Sequence, residues 1–155
     1  MKRLNKRGFT LSELIVTVAI SSIIMIALSS FASVVGRVFT DSKIKNEQQL
    51  MLSIIKEYIK KELTLAEDIT MTGDLSFEKL SFQNNVILKN DVNAFDDSFY
   101  GSQTITADVY GLGSLLYFRI TIEKAEKVIS EEFVLKTLNK INIDIPNRVT
   151  EIYYK

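Results

Sequence analysis

Residue types that could support chemistry are concentrated where a basic N-terminal segment meets a long apolar one. The basic residues are Lys2, Arg3, Lys6 and Arg7; Gly8 and Phe9 follow them directly, and Glu13 is the first acidic residue. A carboxylate at the edge of a membrane helix costs about 2–3 kcal/mol if it is drawn toward the bilayer centre without a partner. Arg7, one or two helical turns back, could be that partner, and an interfacial position would also lower the cost.

The composition excludes several classes of catalytic site. The 155 residues include no Cys, no His and no Trp. Zinc sites of the Cys/His kind, cysteine nucleophiles, Ser-His-Asp triads and disulfides are therefore excluded. Two Ser-x-x-Lys pairs, at Ser53 and Ser76, are close to chance expectation and lack the companion motifs of penicillin-binding enzymes. We predict that the protein is not an enzyme and has no catalytic residue, metal or cofactor.

Three other groups of residues resemble binding sites only weakly. Gly111-Leu112-Gly113 lacks the third glycine of a phosphate loop and predicts a bend or bulge. A calcium site is disfavoured in the acidic loop, because Phe95 occupies a ligand position of an EF-hand-like spacing; its polar residues are Asp91, Asn93, Asp96 and Asp97. DNA binding by stacking and charge is disfavoured by the formal net charge of zero, although it could use Lys136, Lys140, Arg148, Tyr153, Tyr154 and Lys155.

An uncharged segment from Leu14 to Gly36 follows the basic cluster. Its 23 residues would span about 34 Å as a helix, which is enough to cross a bilayer. A buried core helix is the alternative, but such helices rarely run this long without a polar stripe. The hydroxyls of its five serines can bond back to the helix, so they do not prevent insertion. The positive-inside rule places Met1 in the cytoplasm and the body of the chain outside, and the run is longer than the apolar part of a usual signal peptide.

The residues around this boundary resemble a known N-terminus. Lys6-Arg7-Gly8-Phe9-Thr10-Leu11-Ser12-Glu13, followed at once by the apolar run, is similar to the start of type IV pilins and pseudopilins. The resemblance covers roughly residues 2–36. It implies that a prepilin peptidase removes a leader of residues 1–8, cutting between Gly8 and Phe9, and that Phe9 is N-methylated. It also implies that Glu13 pairs with the amine of an adjacent subunit during filament assembly.

The residue types suit this processing. Gly8 has no side chain and can sit extended beside catalytic aspartates. Loss of the leader leaves 15 Lys and Arg against 19 Asp and Glu, a formal charge of −4, and creates an amine one helical turn from Glu13. Many pilins carry a helix-breaking Gly and Pro in the apolar run. The corresponding positions here are Ser22 and Ser30, so we expect an uninterrupted helix.

An amphipathic segment follows Gly36. Its apolar residues recur at helical spacing, and they are Ile44, Met51, Ile54, Ile55, Tyr58, Leu65 and Ile69, widened by Leu52, Ile59 and Leu63. We predict one helix of about 55 residues that ends near Asp68. The domains are then a transmembrane or filament-core helix over 9–36, an amphipathic half over 37–69 and a β-rich head over 70–155.

The remainder predicts one antiparallel sheet. Its strands are Leu75–Phe82, Val86–Lys89, Ile105–Tyr110, Leu115–Glu123, Val128–Lys136, Ile141–Ile145 and Val149–Tyr154, with a loop over 90–104. Pro146 ends its strand or leaves it at an edge. Packing of this sheet on the apolar face of the helix gives an α+β fold.

The function that these features favour is a structural subunit of a type IV pilus, or of a pseudopilus of the secretion or competence kind. The head without a disulfide loop and the helix end from Tyr58 to Ala66 resemble minor subunits. The implied partners are prepilin peptidase, other pilin subunits, an inner-membrane assembly platform and membrane lipid, and the implied location is a single-pass membrane protein that becomes part of a cell-surface filament. The alternative is a membrane-anchored external binding domain that never polymerises; a Gly8 substitution would leave that protein working.

Overall fold

The computed structural model describes residues 10–71, 73, 76–138 and 143–155. The chain divides into two compact units, Met1–Lys43 and Ile44–Lys155. Helix α1 (Leu11–Leu63) supplies residues to both units. It has no break, which confirms the prediction made from Ser22 and Ser30.

The first unit consists, in its described part, of helix with exposed apolar side chains from Leu11 to Phe39. Serine hydroxyls donate back along the helix: Ser22 to the carbonyl oxygen of Ala19 at 2.8 Å, Ser29 to that of Met25 at 2.9 Å and Ser30 to that of Ile26 at 3.0 Å. The back-bonding predicted from the sequence is thus confirmed at these three serines. It removes the cost of placing their hydroxyls in an apolar environment.

In the second unit, α1 ends earlier than the sequence predicts. The prediction of a stop near Asp68 is wrong, because the helix ends at Leu63 and the backbone beyond it pairs with the last strand of the head. The carbonyl oxygen of Asp68 accepts from the amide of Lys155 at 3.1 Å. Strand β1 (Ile69–Thr70) begins one residue later.

The buried face of α1 is also turned relative to the prediction. Met51, Leu52, Ile55, Ile59 and Leu63 are buried. Ile54 was predicted to lie on this face but is 39% exposed. Leu65, also predicted there, lies beyond the end of α1 and is 69% exposed.

The remaining elements form two antiparallel sheets, so the prediction of a single sheet is wrong. The first sheet has the order β1-β9-β2-β3-β4 and the second β7-β6-β5-β8. The elements after β1 are β2 (Glu78–Gln83), β3 (Val86–Lys89), β4 (Val92–Asn93), helical turn α2 (Asp97–Tyr100), β5 (Thr104–Gly113), β6 (Leu115–Lys124), β7 (Lys127–Lys136), β8 (Ile143–Val149) and β9 (Glu151–Tyr154). Leu75 and Ile141, which were placed in predicted strands, lie outside the described residues.

The chain crosses from the second sheet back to the first at Thr150. Only Thr150 separates β8, in the second sheet, from β9, in the first. The Thr150 carbonyl oxygen accepts from the amide of Phe82 at 2.8 Å. Ile145 and Ile152 are both fully buried, so the switch lets one segment contribute to the core from both sheets. Pro146 lies inside β8, at the edge of the sheet, which was one of the two predicted outcomes.

Three of the hairpins have two-residue loops in which both residues have positive φ. These loops are Asn84-Asn85, Asn90-Asp91 and Ala125-Glu126. Positive φ at both central residues defines the type I′ turn, whose twist matches that of paired strands. The pairing of β5 with β8 shifts register between Val109 and Gly111, and the extra residues lie on β8. At the predicted bend or bulge, Gly111-Leu112-Gly113, the pairing with β8 is regular, and Gly113 has a positive φ of 65°.

The predicted loop over 90–104 contains structure. It holds β4 and α2, because Tyr100 of α2 is buried and its hydroxyl anchors the segment on β3. The Ile87 amide donates to the Tyr100 Oη at 3.1 Å, and the Tyr100 hydroxyl donates to the Ile87 carbonyl oxygen at 3.2 Å.

The end of α1 is held to the first sheet by charge. Lys89 Nζ lies 2.6 Å from Glu62 Oε2 and 2.8 Å from Glu78 Oε2, and the Tyr154 hydroxyl donates to Glu62 Oε2 at 2.7 Å. Hydrogen bonds to Glu62 and then to Glu78 raise the pKa of Lys89 above its usual range. Lys89 therefore stays charged at neutral pH.

Candidate functional site

The start of α1 is closed by reciprocal hydrogen bonds between Thr10 and Glu13. Glu13 Oε2 accepts from the Thr10 amide at 2.9 Å and from the Thr10 hydroxyl at 2.8 Å. In return the Thr10 Oγ1 accepts from the Glu13 amide at 3.3 Å. This is the geometry of a capping box, in which Thr10 is the N-cap and Glu13 the third helical residue.

The capping box gives Glu13 a partner inside its own chain. Both accepted bonds go to Oε2, and among the described residues no donor reaches Oε1. One carboxylate oxygen is thus used to cap the helix while the other can receive a cation. A fixed carboxylate at the positive end of a helix is also favourably placed relative to the helix dipole.

The helix that Glu13 opens is long and apolar enough to cross a membrane, and none of its most apolar stretch is buried. Every large hydrophobic side chain from Leu11 to Phe39 is exposed in the single chain. Such a surface needs lipid or other apolar helices around it. The capping box and the exposed apolar side chains thus lie in the same N-terminal part of α1.

The residues before Thr10 complete the pattern. The prokaryotic N-terminal methylation motif matches residues 3–29. The chain carries the signature of type IV pilins and pseudopilins. No curated protein and no solved structure matches the chain. The pilin signature therefore covers the basic segment and the first part of α1. It does not extend to the head.

The pilin signature has direct functional content. It supports a pilin-like subunit that is processed at its N-terminus, and it implies processing by prepilin peptidase and assembly with other pilin subunits. Together with the single apolar helix it fits a membrane-anchored subunit. It also indicates a structural subunit rather than an enzyme.

The predicted cleavage site lies outside the described residues. Gly8 and Phe9, and with them the leader residues Lys2, Arg3, Lys6 and Arg7, precede Thr10. The structure does place Glu13, and it joins Glu13 to Thr10, whose role the sequence analysis missed. The signal that could have revealed it is Thr-x-x-Glu directly before an apolar helix, the sequence form of a capping box.

Several residues of the weaker candidate sites have partners within the chain, and Lys140 lies outside the described residues. Asp91 pairs with Lys79 at 2.9 Å and Asp97 accepts from Asn93 at 3.1 Å. In the described parts of the chain no three His, Cys, Asp or Glu side chains are grouped to hold a metal ion. Tyr154 is buried and bonded to Glu62, so it cannot stack on a base. Arg148 lies over the Tyr110 ring and 3.8 Å from Asp108.

Proposed function

We propose that the protein is a minor subunit of a type IV pilus or of a secretion or competence pseudopilus. Prepilin peptidase cuts between Gly8 and Phe9, Phe9 is N-methylated, and the apolar half of α1 becomes part of a filament core. The head faces away from the cytoplasm. The single observation that carries this proposal is that the methylation motif matches residues 3–29, a range that runs into a helix whose apolar side chains are exposed. The cysteine-free head supports the minor class.

Glu13 has the assembly role in this proposal. After cleavage the new amine belongs to Phe9, four residues before Glu13 in the sequence. The capping box leaves Oε1 available, so Glu13 can receive the amine of an adjacent subunit without giving up its cap. In surroundings of low dielectric such a pair fixes the register between subunits more than it adds stability.

The processing step is tested by intact-mass measurement after co-expression with a prepilin peptidase. We expect the loss of residues 1–8 and the gain of one methyl group on Phe9. A Gly8→Val variant should stay uncut and enter no filament. A chain that retains Met1, or one that is cut after Ser30 or Ala32, would overturn the proposal, as would full function of the Gly8 variant, which points to a non-polymerising anchor.

The assembly role is tested by a matched set at the capping box. Glu13→Val should be cut normally and stay in the membrane but enter sheared filaments poorly. Thr10→Val removes the hydroxyl and should also reduce incorporation, whereas Thr10→Ser keeps the box and should behave like the native chain. Native incorporation of Glu13→Val would mean that the carboxylate only caps its helix.

A further inference from the structure

The edge strand β7 presents a long row of free backbone groups. It is paired with β6 alone among the described residues. The two-residue loop Ala125-Glu126 makes Lys124 and Lys127 the hydrogen-bonded pair that closes the hairpin. Hydrogen-bonded and non-hydrogen-bonded pairs alternate from there. The even-numbered residues from Val128 to Lys136 therefore direct their amides and carbonyls away from β6.

The side chains along this edge include two exposed valines among charged residues. On the outer face 57% of Val128 and 51% of Val134 are exposed. On the inner face a groove of about 370 Å³ separates β7 from α1, and its lining includes Leu52, Ser53 and Ile129. A ten-residue edge with exposed valines and free backbone groups is a template for another strand.

We propose that this edge pairs antiparallel with β7 of a second copy of the chain, with Glu131 opposite Glu131 of that copy. Charge complementarity selects the second copy as the occupant. This register places Lys136 opposite Glu126 of the second copy, and the two-fold symmetry repeats the pair. It also places Val128 opposite Val134 of the second copy and Ile129 opposite Phe133 of the second copy.

Neighbouring registers lose these matches. Because side chains alternate between faces, only shifts by two residues keep inner side chains opposite inner ones. With Ser130 on the axis, the exposed valines face Glu126 and Glu132. With Glu132 on the axis, Val128 faces Lys136.

The like charges on the axis are already compensated within each chain. Lys56 Nζ forms an ion pair with Glu131 and lies 5.5 Å from the centre of the Phe133 ring. Each Glu131 thus brings its own cation to the axis, while the register forms about eight backbone hydrogen bonds. The contact is isologous and closed, so it makes a dimer of heads and not an open filament. It is independent of processing at Gly8.

The absence of native cysteine allows a direct test of the register. Glu131 would face its own copy as a non-hydrogen-bonded pair with a Cα separation of about 4.5 Å, within the range of a disulfide. Ser130→Cys, Glu131→Cys and Glu132→Cys are compared in the full chain in mild detergent micelles under weak oxidation. Thr106→Cys, on an inner strand of the same sheet, measures random collision. We expect Glu131→Cys to form covalent dimers at least about tenfold faster than the other three.

Two second-site sets separate pairing at this edge from other contacts. Ser130→Pro, added to Glu131→Cys, removes an amide that points away from β6, so it should abolish the cross-link, while Ser130→Ala should keep it. Lys136→Glu should slow cross-linking about tenfold and Glu126→Lys should restore it. Circular dichroism checks that the proline variant is folded; if it is not, the charge exchange decides. Equal rates at all four cysteines, cross-linking through a folded proline variant, or no rescue by the charge exchange would overturn the proposal.

Discussion

The turn between β6 and β7 holds two residues with a Cβ in a backbone conformation that such residues disfavour. Ala125 and Glu126 have φ of 49° and 65°, a left-handed conformation that costs a residue with a Cβ about 1–2 kcal/mol. The turns at Asn84-Asn85 and Asn90-Asp91 have the same geometry, but their residues tolerate it. We predict that Ala125→Asn combined with Glu126→Gly stabilises the head.

The magnitude follows from the two positions. Glycine at 126 relieves the left-handed cost but returns about 0.5–1 kcal/mol of chain entropy in the unfolded state. Asparagine at 125 relieves part of the cost without that loss. The net gain should be about 1 kcal/mol, which for the 112 residues of the second unit raises the melting temperature by about 4 °C. Asn84→Ala is the matched opposite and should lower stability by about 0.5–1 kcal/mol.

The assay is thermal unfolding of the full chain in detergent micelles, followed by near-ultraviolet circular dichroism of the head tyrosines. Ala125→Asn is measured alone as well, because Glu126 also faces the second copy in the proposed dimer. If neither variant raises the melting temperature while Asn84→Ala lowers it, the left-handed cost at Ala125 has been overestimated. If Asn84→Ala is also neutral, positive φ does not limit the stability of these hairpins.

Three further outcomes are expected. Gly73→Ala should cost about 1–3 kcal/mol in urea unfolding, because the new Cβ would lie 2.6 Å from Tyr153 Cδ1 and 2.9 Å from Phe77 Cβ; native stability of the variant would refute the clash, and a Tyr153→Ala background should recover part of the loss. Burial raises the pKa of Tyr100 and Tyr154. Unfolded tyrosines ionise first, so stability should be full below pH 10 and fall by on the order of 1 kcal/mol over the next pH unit; a flat urea midpoint there would contradict this. A fragment beginning at Ser42 should fold with helix and sheet by circular dichroism, since the buried core lies within Ile44–Lys155, and an unfolded fragment would show that α1 needs its first part.

The parts of the fold that the sequence predicts correctly are those set by local pattern. The alternation in Leu115–Glu123 is confirmed, with Leu116, Phe118 and Ile120 buried on the inner face of β6. The turn between β2 and β3 is also set locally, because Asn84 and Asn85 have positive φ and asparagine itself tolerates the left-handed conformation. The basic segment and the uncharged run likewise predict the pilin signature without reference to tertiary structure.

The wrong predictions concern residues whose structure depends on pairing with distant parts of the chain. The residue types after Leu63 are compatible with a helix. Ile69 and Thr70 nevertheless form β1, because they pair with β9. The change of sheet at Thr150 leaves no mark in the alternation of polar and apolar residues. At the candidate site the boundary residues were predicted from type and spacing, whereas the capping role of Thr10 required the hydrogen bonds of the helix start.

The position of β9 determines the order in which the two sheets of the head can form. This strand, Glu151–Tyr154, lies between β1 and β2 in the first sheet, and it joins strands that are separated from it by about 70 to 85 positions along the chain. A chain that is synthesised from its N-terminus can form the β5–β6–β7 hairpins early, since their contacts are local. The first sheet cannot be completed until Tyr154 has been synthesised, although β2, β3 and β4 can pair before then. Until then β1 and β2 are unpaired on the sides that β9 will occupy. Pairing of β9 is therefore the step that completes the fold of the head.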